Sequence, residues 1–425
     1  MGMPERILLE NVQPGQSIGL AAYRQSGGYQ ALAEVLGKHT PQEVKQIVLN
    51  SGLRGCGGAG FPTGRKWSLV ADGAPFPRYI VSNTDEMEPG TFKDRTLVAA
   101  NPHSVLEGMI IASYAVSAER GFFFVRPSYE GVAGILERAL GEAKETGLLG
   151  RNILGSSHSL HVVVHRSAGR YICGETKGLV HALEGKRPHP NIEGHLTSEG
   201  LWGRPTLINN AETLAYVSHI LKNGAEWFRN LARSQTAAGN KIYTVSGRVN
   251  RPGCFELPFG TPLSEIIEAQ AGGMQPGYEY KTCLPGGAST RYVPKEFYGI
   301  EMEFDSFKKI GPGHRLGTGA IVVFDHKTCL VGATLNLIQF FTRESCGFCT
   351  PCREGLPYIW ELLRRIEEGE GKETFIPTLR GMCEHLSKAY CAFAPGAATP
   401  VRGLVDDFVE EIYEHISQKK CPFKT

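Results

Sequence analysis

The sequence predicts a multidomain fold that runs α/β, then α+β, then α, and three observations predict it. Apolar strand-like runs alternate with helical stretches through about residue 235, a polar linker then gives way to short β-type segments, and from Leu330 onward the periodicity is helical almost throughout. A chain of 425 residues is too long for one hydrophobic core, so the expected domains are 1–235, 240–326 and 328–425.

In the first unit, Tyr29 to Leu36 and Pro41 to Leu49 carry helical patterns, and Thr40-Pro41 makes a helix start signal. Strands are expected at Tyr79 to Ser82, Gly121 to Val125 and Leu160 to Val164, with helices between them at Ser104 to Ala118 and Tyr129 to Thr146. The linker Arg233 to Asn240 is polar; beyond it come a strand at Ile242 to Val249, a turn at Pro252-Gly253, a helix near Leu263 to Gln270 and a strand at Ala320 to Phe324. The C-terminal unit reads as a four-helix bundle, with helices at Leu330 to Phe341, Leu356 to Glu368, Ile376 to Tyr390 and Pro400 to Ser417. Asp406, Asp407, Glu410 and Glu411 read as a solvated face of its last helix.

Composition excludes several function classes. With 21% charged residues and a net charge of +2, nothing favours nucleic acid. No apolar run approaches a membrane span, and Met1-Gly-Met-Pro-Glu-Arg6 lacks the apolar stretch of a leader, so a cytoplasmic protein is expected, at most peripheral on a membrane complex. Its eleven cysteines read as reduced thiols and metal ligands rather than disulfides. Seven of them, Cys329 and Cys421 included, are scattered singly, and packed thiols are expected there.

Cys346, Cys349 and Cys352 are set at C-x-x-C-x-x-C spacing, with a lone Cys391 further on. Such a set can converge on one iron–sulfur cubane; structural zinc, which more often takes two separated C-x-x-C pairs, is the competing reading.

Gly55-Cys-Gly57-Gly58-Ala59-Gly60 matches a dinucleotide-loop pattern, yet a helix-like stretch precedes it and Pro62 and Gly64 follow, which is wrong for an ordinary Rossmann turn. What remains is a nest of backbone N–H groups beside Arg65 and Lys66, suited to a phosphate-bearing ligand. After the strand at Tyr79, Asn83, Asp85, Glu86 and Glu88 bring an amide and three carboxylates to a sheet edge, where they can hydrogen-bond a flavin's polyol and ring edge. A second glycine-flanked loop holds Tyr171, Cys173, Gly174, Glu175, Thr176 and Lys177; Asn209 and Asn210 precede an apolar helix like a cap.

These segments together resemble one family: the NADH-oxidising flavoprotein component (the F-type subunit) of respiratory complex I, with related diaphorase subunits. The resemblance runs from about residue 25 to the end, through Gly57-Gly-Ala-Gly-Phe-Pro-Thr-Gly64, Asp85-Glu-Met-Glu-Pro-Gly-Thr91, Tyr171-Ile-Cys-Gly-Glu175, Asn209-Asn210 and Glu344-Ser-Cys-Gly-Phe-Cys-Thr-Pro-Cys352. It implies a modified Rossmann-like flavin domain, a small ubiquitin-like β-grasp domain of the soluble-ligand-binding type, and a helical bundle holding one [4Fe-4S] cluster on Cys346, Cys349, Cys352 and Cys391. It also implies FMN as first electron acceptor and NAD(H) or NADP(H) as substrate. The implied partners are a thioredoxin-like [2Fe-2S] subunit and a larger iron–sulfur subunit. By the same resemblance Gly55, Gly57, Gly58, Ala59, Gly60, Phe61, Gly64 and Lys66 lie by flavin and nicotinamide. Asn83, Asp85, Glu86, Tyr171, Gly174, Glu175, Asn209 and Asn210 line the flavin site, and Glu88 stands near the reacting ring.

The chain departs from the family's pattern on the nicotinamide side. Cys56 replaces an arginine, Ser167 a glycine, and Thr176-Lys177-Gly178 a Glu-Thr-Ala run whose glutamate faces the adenosine ribose. Pro190 to Thr197 replaces a basic stretch that ends in an adenine-stacking aromatic, leaving Phe61 as the remaining platform. Loss of the ribose carboxylate opens NADPH use, since a lysine beside a phosphate gains a charge-assisted contact. The alternative function is a flavin and iron–sulfur relay in another redox assembly, with altered or lost nicotinamide binding.

Overall fold

Strands buried on both faces need helices on both sides, and the first of two sheets is built that way. The computed structural model describes residues 6–10, 12 and 15–424; the leader-free start read at the N-terminus falls, through residue 5, outside them. Strands β1 (Tyr79–Thr84), β2 (Arg120–Val125), β3 (His161–Arg166) and β4 (Thr206–Asn210) form an all-parallel sheet in the order β3-β2-β1-β4. The three expected strands are present. The sequence marks β4 only as a helix cap, and Asn210 does both jobs: it ends the strand, and its side chain accepts the Glu212 N–H to start the helix Ala211–Asn223.

That helix packs on Pro102–Val116, both almost entirely buried. Gly108 makes the close crossing feasible, because a Cβ there would stand 1.8 Å from the Leu214 carbonyl oxygen. The helix Pro41–Asn50 starts with the anticipated cap, Thr40 and Glu43 forming a reciprocal capping box.

Strand order reverses at β1, which has β2 on one side and β4 on the other. In open parallel sheets the crevice beyond the strand C-termini at such a reversal is where ligands bind. Register sets Asn83 directly beside Asn210 at that edge.

The second sheet is mixed: β5 (Asn240–Gly247), β6 (Gly253–Pro258), β7 (Tyr280–Leu284) and β8 (Ala320–Asp325), in the order β6-β5-β8-β7 with only β5 and β8 parallel. Strands β6 and β7 are both additional to the expected elements. Among the described residues no helix is long and apolar enough to cross a membrane.

The C-terminal region has five helices, not four: Leu330–Glu344, Thr350–Glu367, Phe375–Ser387, Phe393–Asp407 and Val409–Gln418. The expected helix from Pro400 instead begins at Phe393 and breaks at Phe408, where the backbone leaves helical geometry (φ −135°, ψ 30°). Pro400 sits inside it because the Gly396 carbonyl, deprived of a backbone donor, accepts the Thr399 hydroxyl at 2.6 Å. The acidic face is also not wholly solvated. Arg291 clamps Asp407 through two bonds of 2.6 and 2.7 Å, and buried Glu411 accepts the Leu330 N–H at 2.9 Å; Asp406 and Glu410 remain exposed.

Gly108→Ala is expected to lower unfolding free energy by about 3 kcal/mol, because two buried helices must separate. Urea denaturation of the two proteins side by side measures it.

Candidate functional site

The crevice at the strand reversal is a cavity of about 350 Å³. Its floor is the sheet edge with Asn83, Asp85 and Asn210; one wall is the glycine loop, through Gly57, Gly58 and Ala59; another is the Tyr171–Gly174 turn with Glu175 and Thr176. Ser289, Arg315, Gly317 and Thr318 of the small domain and Ala392 and Phe393 of the helical region close it. Of these, Ser289, Arg315, Gly317 and Thr318 lie outside every sequence motif and are brought here only by packing, whereas Ala392 and Phe393 directly follow Cys391.

Burial tunes the carboxylates. Asp85 accepts the Ser167 hydroxyl at 2.8 Å on one oxygen while the other has no partner, and burial pushes its pKa up to about 6. Glu86 accepts the N–H groups of Asp94 and Arg95 at 2.8 and 3.2 Å, yet burial and the nearby Asp94 charge push it up to about 7. Glu88 is raised by burial although it accepts the Tyr171 hydroxyl and, at 2.6 Å, the Ser289 N–H. Glu175 caps the helix Thr176–Leu183 by accepting the Lys177 and Gly178 N–H groups, both at 2.9 Å. Lys93, also part of the cavity lining, lies 2.7 Å from Asp94, 2.8 Å from Glu212 and 3.1 Å from the Asn210 side-chain oxygen.

Six further residues expected at the ligand frame the cavity rather than line it. Gly55 donates its N–H to the Phe61 carbonyl at 2.9 Å, closing the glycine loop, and Gly60, at φ +63°, leaves no room for a Cβ beside the Phe304 ring. Gly64 packs on the backbone of Leu49, and Asn209 accepts the Trp67 indole N–H at 3.1 Å. Lys66 donates to the Ile208 carbonyl, and burial pulls its pKa down to about 8. Phe61 is exposed. Cys56 is fully buried and burial pushes its thiol up to about 12, which fits an inert packed residue. Lys177 donates to the Ile192 carbonyl and does not line the cavity.

The four cysteines of the C-terminal motif lie at the starts of two helices: Cys346 and Cys349 in the turn before Thr350–Glu367, Cys352 in that helix's first turn, and Cys391 just before Phe393–Asp407. The Cys352 thiol shares a 3.1 Å contact with the Ser345 hydroxyl. Burial raises Cys346, Cys352 and Cys391, and each also feels other thiols of the set, Cys352 that of Cys349 and Cys391 those of Cys346 and Cys352. A tetrahedral zinc would draw its sulfurs to about 3.8 Å of one another. Among the described residues the grouping that tight lies elsewhere. Glu175 lies within electrostatic reach of both Cys346 and Cys391, so cleft and thiols share a wall.

A parallel-sheet cleft of nucleotide size set against a group of four cysteines suits one class: a redox protein that joins an organic cofactor to an iron–sulfur centre. Family models agree, matching the Nuo51 FMN-binding domain over residues 48–219, an SLBB domain over 242–292 and the NADH-ubiquinone oxidoreductase-F iron-sulfur binding region over 332–415. The NADH-quinone oxidoreductase F 2 subunit of Rhizobium meliloti (strain 1021) is 43% identical over 423 residues, covering 99% of this chain and 100% of that protein. The NADH-quinone oxidoreductase F subunit of Escherichia coli (strain K12) is 45% identical over 407 residues, 95% of this chain and 91% of its own. The crystal structure of an air-oxidized NAD+-reducing [NiFe]-hydrogenase superposes with a TM-score of 0.83 at 30% identity, covering 97% of this chain and 67% of that one. The chain belongs to the family of NADH-quinone oxidoreductase F subunits, an oxidoreductase component with that family's FMN-binding and [4Fe-4S] regions.

The raised pKa of Asp85 carries a stability cost. Its contribution is fully present below the usual value of 3.8 and is lost as pH rises through about 6. Asp85→Asn is therefore expected to stabilise flavin-free protein by about 3 kcal/mol near pH 8, shrinking to about 1 kcal/mol near pH 4.5. Denaturant melts at the two pH values check the crossover.

Proposed function

We propose that this chain is the electron-input subunit of an NADH-quinone oxidoreductase-like complex, with FMN in the cleft and a [4Fe-4S] cluster on Cys346, Cys349, Cys352 and Cys391. One observation carries the reading: Ile172, Glu175, Ala392 and Phe393 belong both to the cleft and to the segments bearing the thiols or packed on them. Bound there, FMN supplies the conversion between a two-electron hydride donor and a one-electron cubane.

The residues fit such a ligand. The partnerless Asp85 oxygen is an acceptor for a polyol hydroxyl, and the side chains of Asn83, Glu86 and Asn210 surround it on the sheet edge. Gly57, Gly58 and Ala59 offer backbone to the ligand, while Gly174 lets the opposite wall come close. Glu88, oriented by Tyr171 and Ser289, can hold a proton at its carboxyl near the reacting ring. Gly55, Gly60, Gly64, Lys66 and Asn209 shape the loop and floor from behind, and exposed Phe61 is a stacking platform at the rim. The domains run 1–235, of modified Rossmann-like type, 240–326, of ubiquitin-like β-grasp type, and 328–425.

The substrate is NADH. With Lys177 turned to Ile192, no lysine at this corner reaches into the cleft for a 2′-phosphate, although Thr176 supplies no carboxylate to repel one. The partners are a thioredoxin-like [2Fe-2S] subunit and a larger iron–sulfur subunit of one assembly peripheral to the membrane. Exposed Phe348 and Tyr390, with ring centroids 5.6 Å apart beside Cys349 and Cys391, suit such an interface.

Protein purified without oxygen is expected to contain flavin and iron, and NADH is expected to bleach the flavin band rapidly; indifference to both NADH and NADPH overturns the reading in favour of a relay. Cys391→Ser is expected to lose iron while keeping flavin bleaching by NADH. Thr176→Glu is expected to raise the NADH over NADPH ratio of kcat/KM by about tenfold or more, because a carboxylate then faces the extra phosphate; steady-state rates with each nucleotide measure it.

A further inference from the structure

We propose that Cys329, Glu367, His415 and Cys421 form a second metal site, for one divalent cation with zinc's ligand preference, separate from the iron–sulfur thiols. Sequence alone marks two of these only as isolated packed cysteines. Four chain segments instead bring them together: Cys329 caps the start of Leu330–Glu344, Glu367 ends Thr350–Glu367, His415 sits in the last helix and Cys421 follows it. Their ligand atoms all lie within 4.8 Å of one another; Glu367, His415 and Cys421 are buried.

The distances suit a tetrahedral ion. Cys329 Sγ is 3.3 Å from Glu367 Oε2 and 3.3 Å from His415 Nε2, and those two are 3.2 Å apart. Zinc bonds of about 2.0 to 2.3 Å give tetrahedral edges of roughly 3.3 to 3.8 Å.

Hydrogen bonding alone does not account for the triangle. His415 Nδ1 lies 2.6 Å from the Glu411 carbonyl, which only accepts, so Nδ1 carries a proton and donates it. With a neutral imidazole, the thiol proton serves one of the three contacts and leaves Nε2 facing a carboxylate, lone pair to lone pair. With an imidazolium, two protons still serve three contacts. A cation at the centre satisfies every lone pair at once.

The surroundings are those of a built site. The Nδ1 bond orients the ring and leaves Nε2 directed at the other ligands, as the outer hydrogen-bond partners of metal-bound histidines do. Lys424 pairs with Glu367 Oε1 at 3.0 Å and leaves Oε2 for the ion. The Gly332 N–H, at a helix start, donates to Cys329 Sγ at 3.2 Å and favours its thiolate. Two thiolates, an imidazole and a carboxylate select zinc among common divalent ions. The ion would fasten the segment after the last helix to the base of the helical region.

The test uses the full chain with its flavin and cluster, purified without chelator. Elemental analysis is expected to find about one zinc per chain besides the iron, and zinc-edge X-ray absorption a shell of two sulfurs at about 2.3 Å and two lighter ligands near 2.0 Å. Cys421→Ser and His415→Gln are expected to lose zinc at least tenfold with iron and flavin retained; Cys391→Ser, the reverse control, loses iron and keeps zinc. Zinc below about a tenth of an equivalent, or a shell of four sulfurs, which marks zinc lodged on the cluster thiols, overturns the proposal. So does wild-type zinc content in His415→Gln. If a variant fails to fold, the wild-type absorption spectrum still decides, and no outcome depends on the flavin reading.

Discussion

One buried carboxylate organises the junction of the first two domains. Glu212, fully inaccessible, lies 2.8 Å from Lys93 and 3.2 Å from Lys241, two lysines that are themselves buried and come from different domains. Burial opposes its charge, yet the two ammonium groups more than offset this and hold its carboxyl below the usual range. Removing one member of such a set strands an uncompensated buried charge, at a cost of about 3 to 5 kcal/mol. Lys93 also reaches Asn210, and Asn210 donates to Asp94 at 2.8 Å. The ion pairs that join the small domain to the parallel sheet therefore fix the cleft floor as well.

That coupling explains why the cleft can hold three carboxyl groups within four positions. Glu86 is tied to the start of the helix Lys93–Ala100 through two backbone N–H groups, so its place depends on Lys93 and Asp94 beneath it. Asp85 and Glu88 gain fewer bonds than their burial demands, and both are pushed toward the protonated form. Groups held in this way by a rigid frame answer readily to a ligand that supplies hydrogen-bond donors, because the cost of desolvating them is already met by the fold.

Much of this is legible in local sequence. The apolar runs at Tyr79, Gly121 and Leu160 form adjacent parallel strands, and Cys346, Cys349 and Cys352 sit together at one helix start, because each signal lies within a few residues. Strand β4 reads as a cap since its five residues end in two asparagines, which propensity assigns to turns. Ser289, Arg315 and Thr318 enter the cleft only by domain packing, and no short motif marks them. Asp407 and Glu411 look like a solvated face in one dimension because Arg291 and the start of Leu330–Glu344, which pack against them, are remote in the chain. Cys329 and Cys421 are ninety-two positions apart (421 − 329), too far for spacing to suggest a common site.

Tyr171 links the cleft to the helical region. Its ring lies edge-on to Phe340, Phe341 and Phe393, inside that region's apolar core, while its hydroxyl donates to Glu88 in the cleft. Its backbone N–H donates to Glu344 at 2.8 Å, two residues before Cys346. One side chain therefore belongs to the packing that carries the thiols and to the polar contacts that orient a cleft carboxylate. An aromatic wedge of this kind packs the cleft wall directly against the helices that carry the thiols, with no spacer between them. The interdomain ion pairs set the position of the floor and this wedge sets the position of the wall, which leaves the cleft little freedom to open between them.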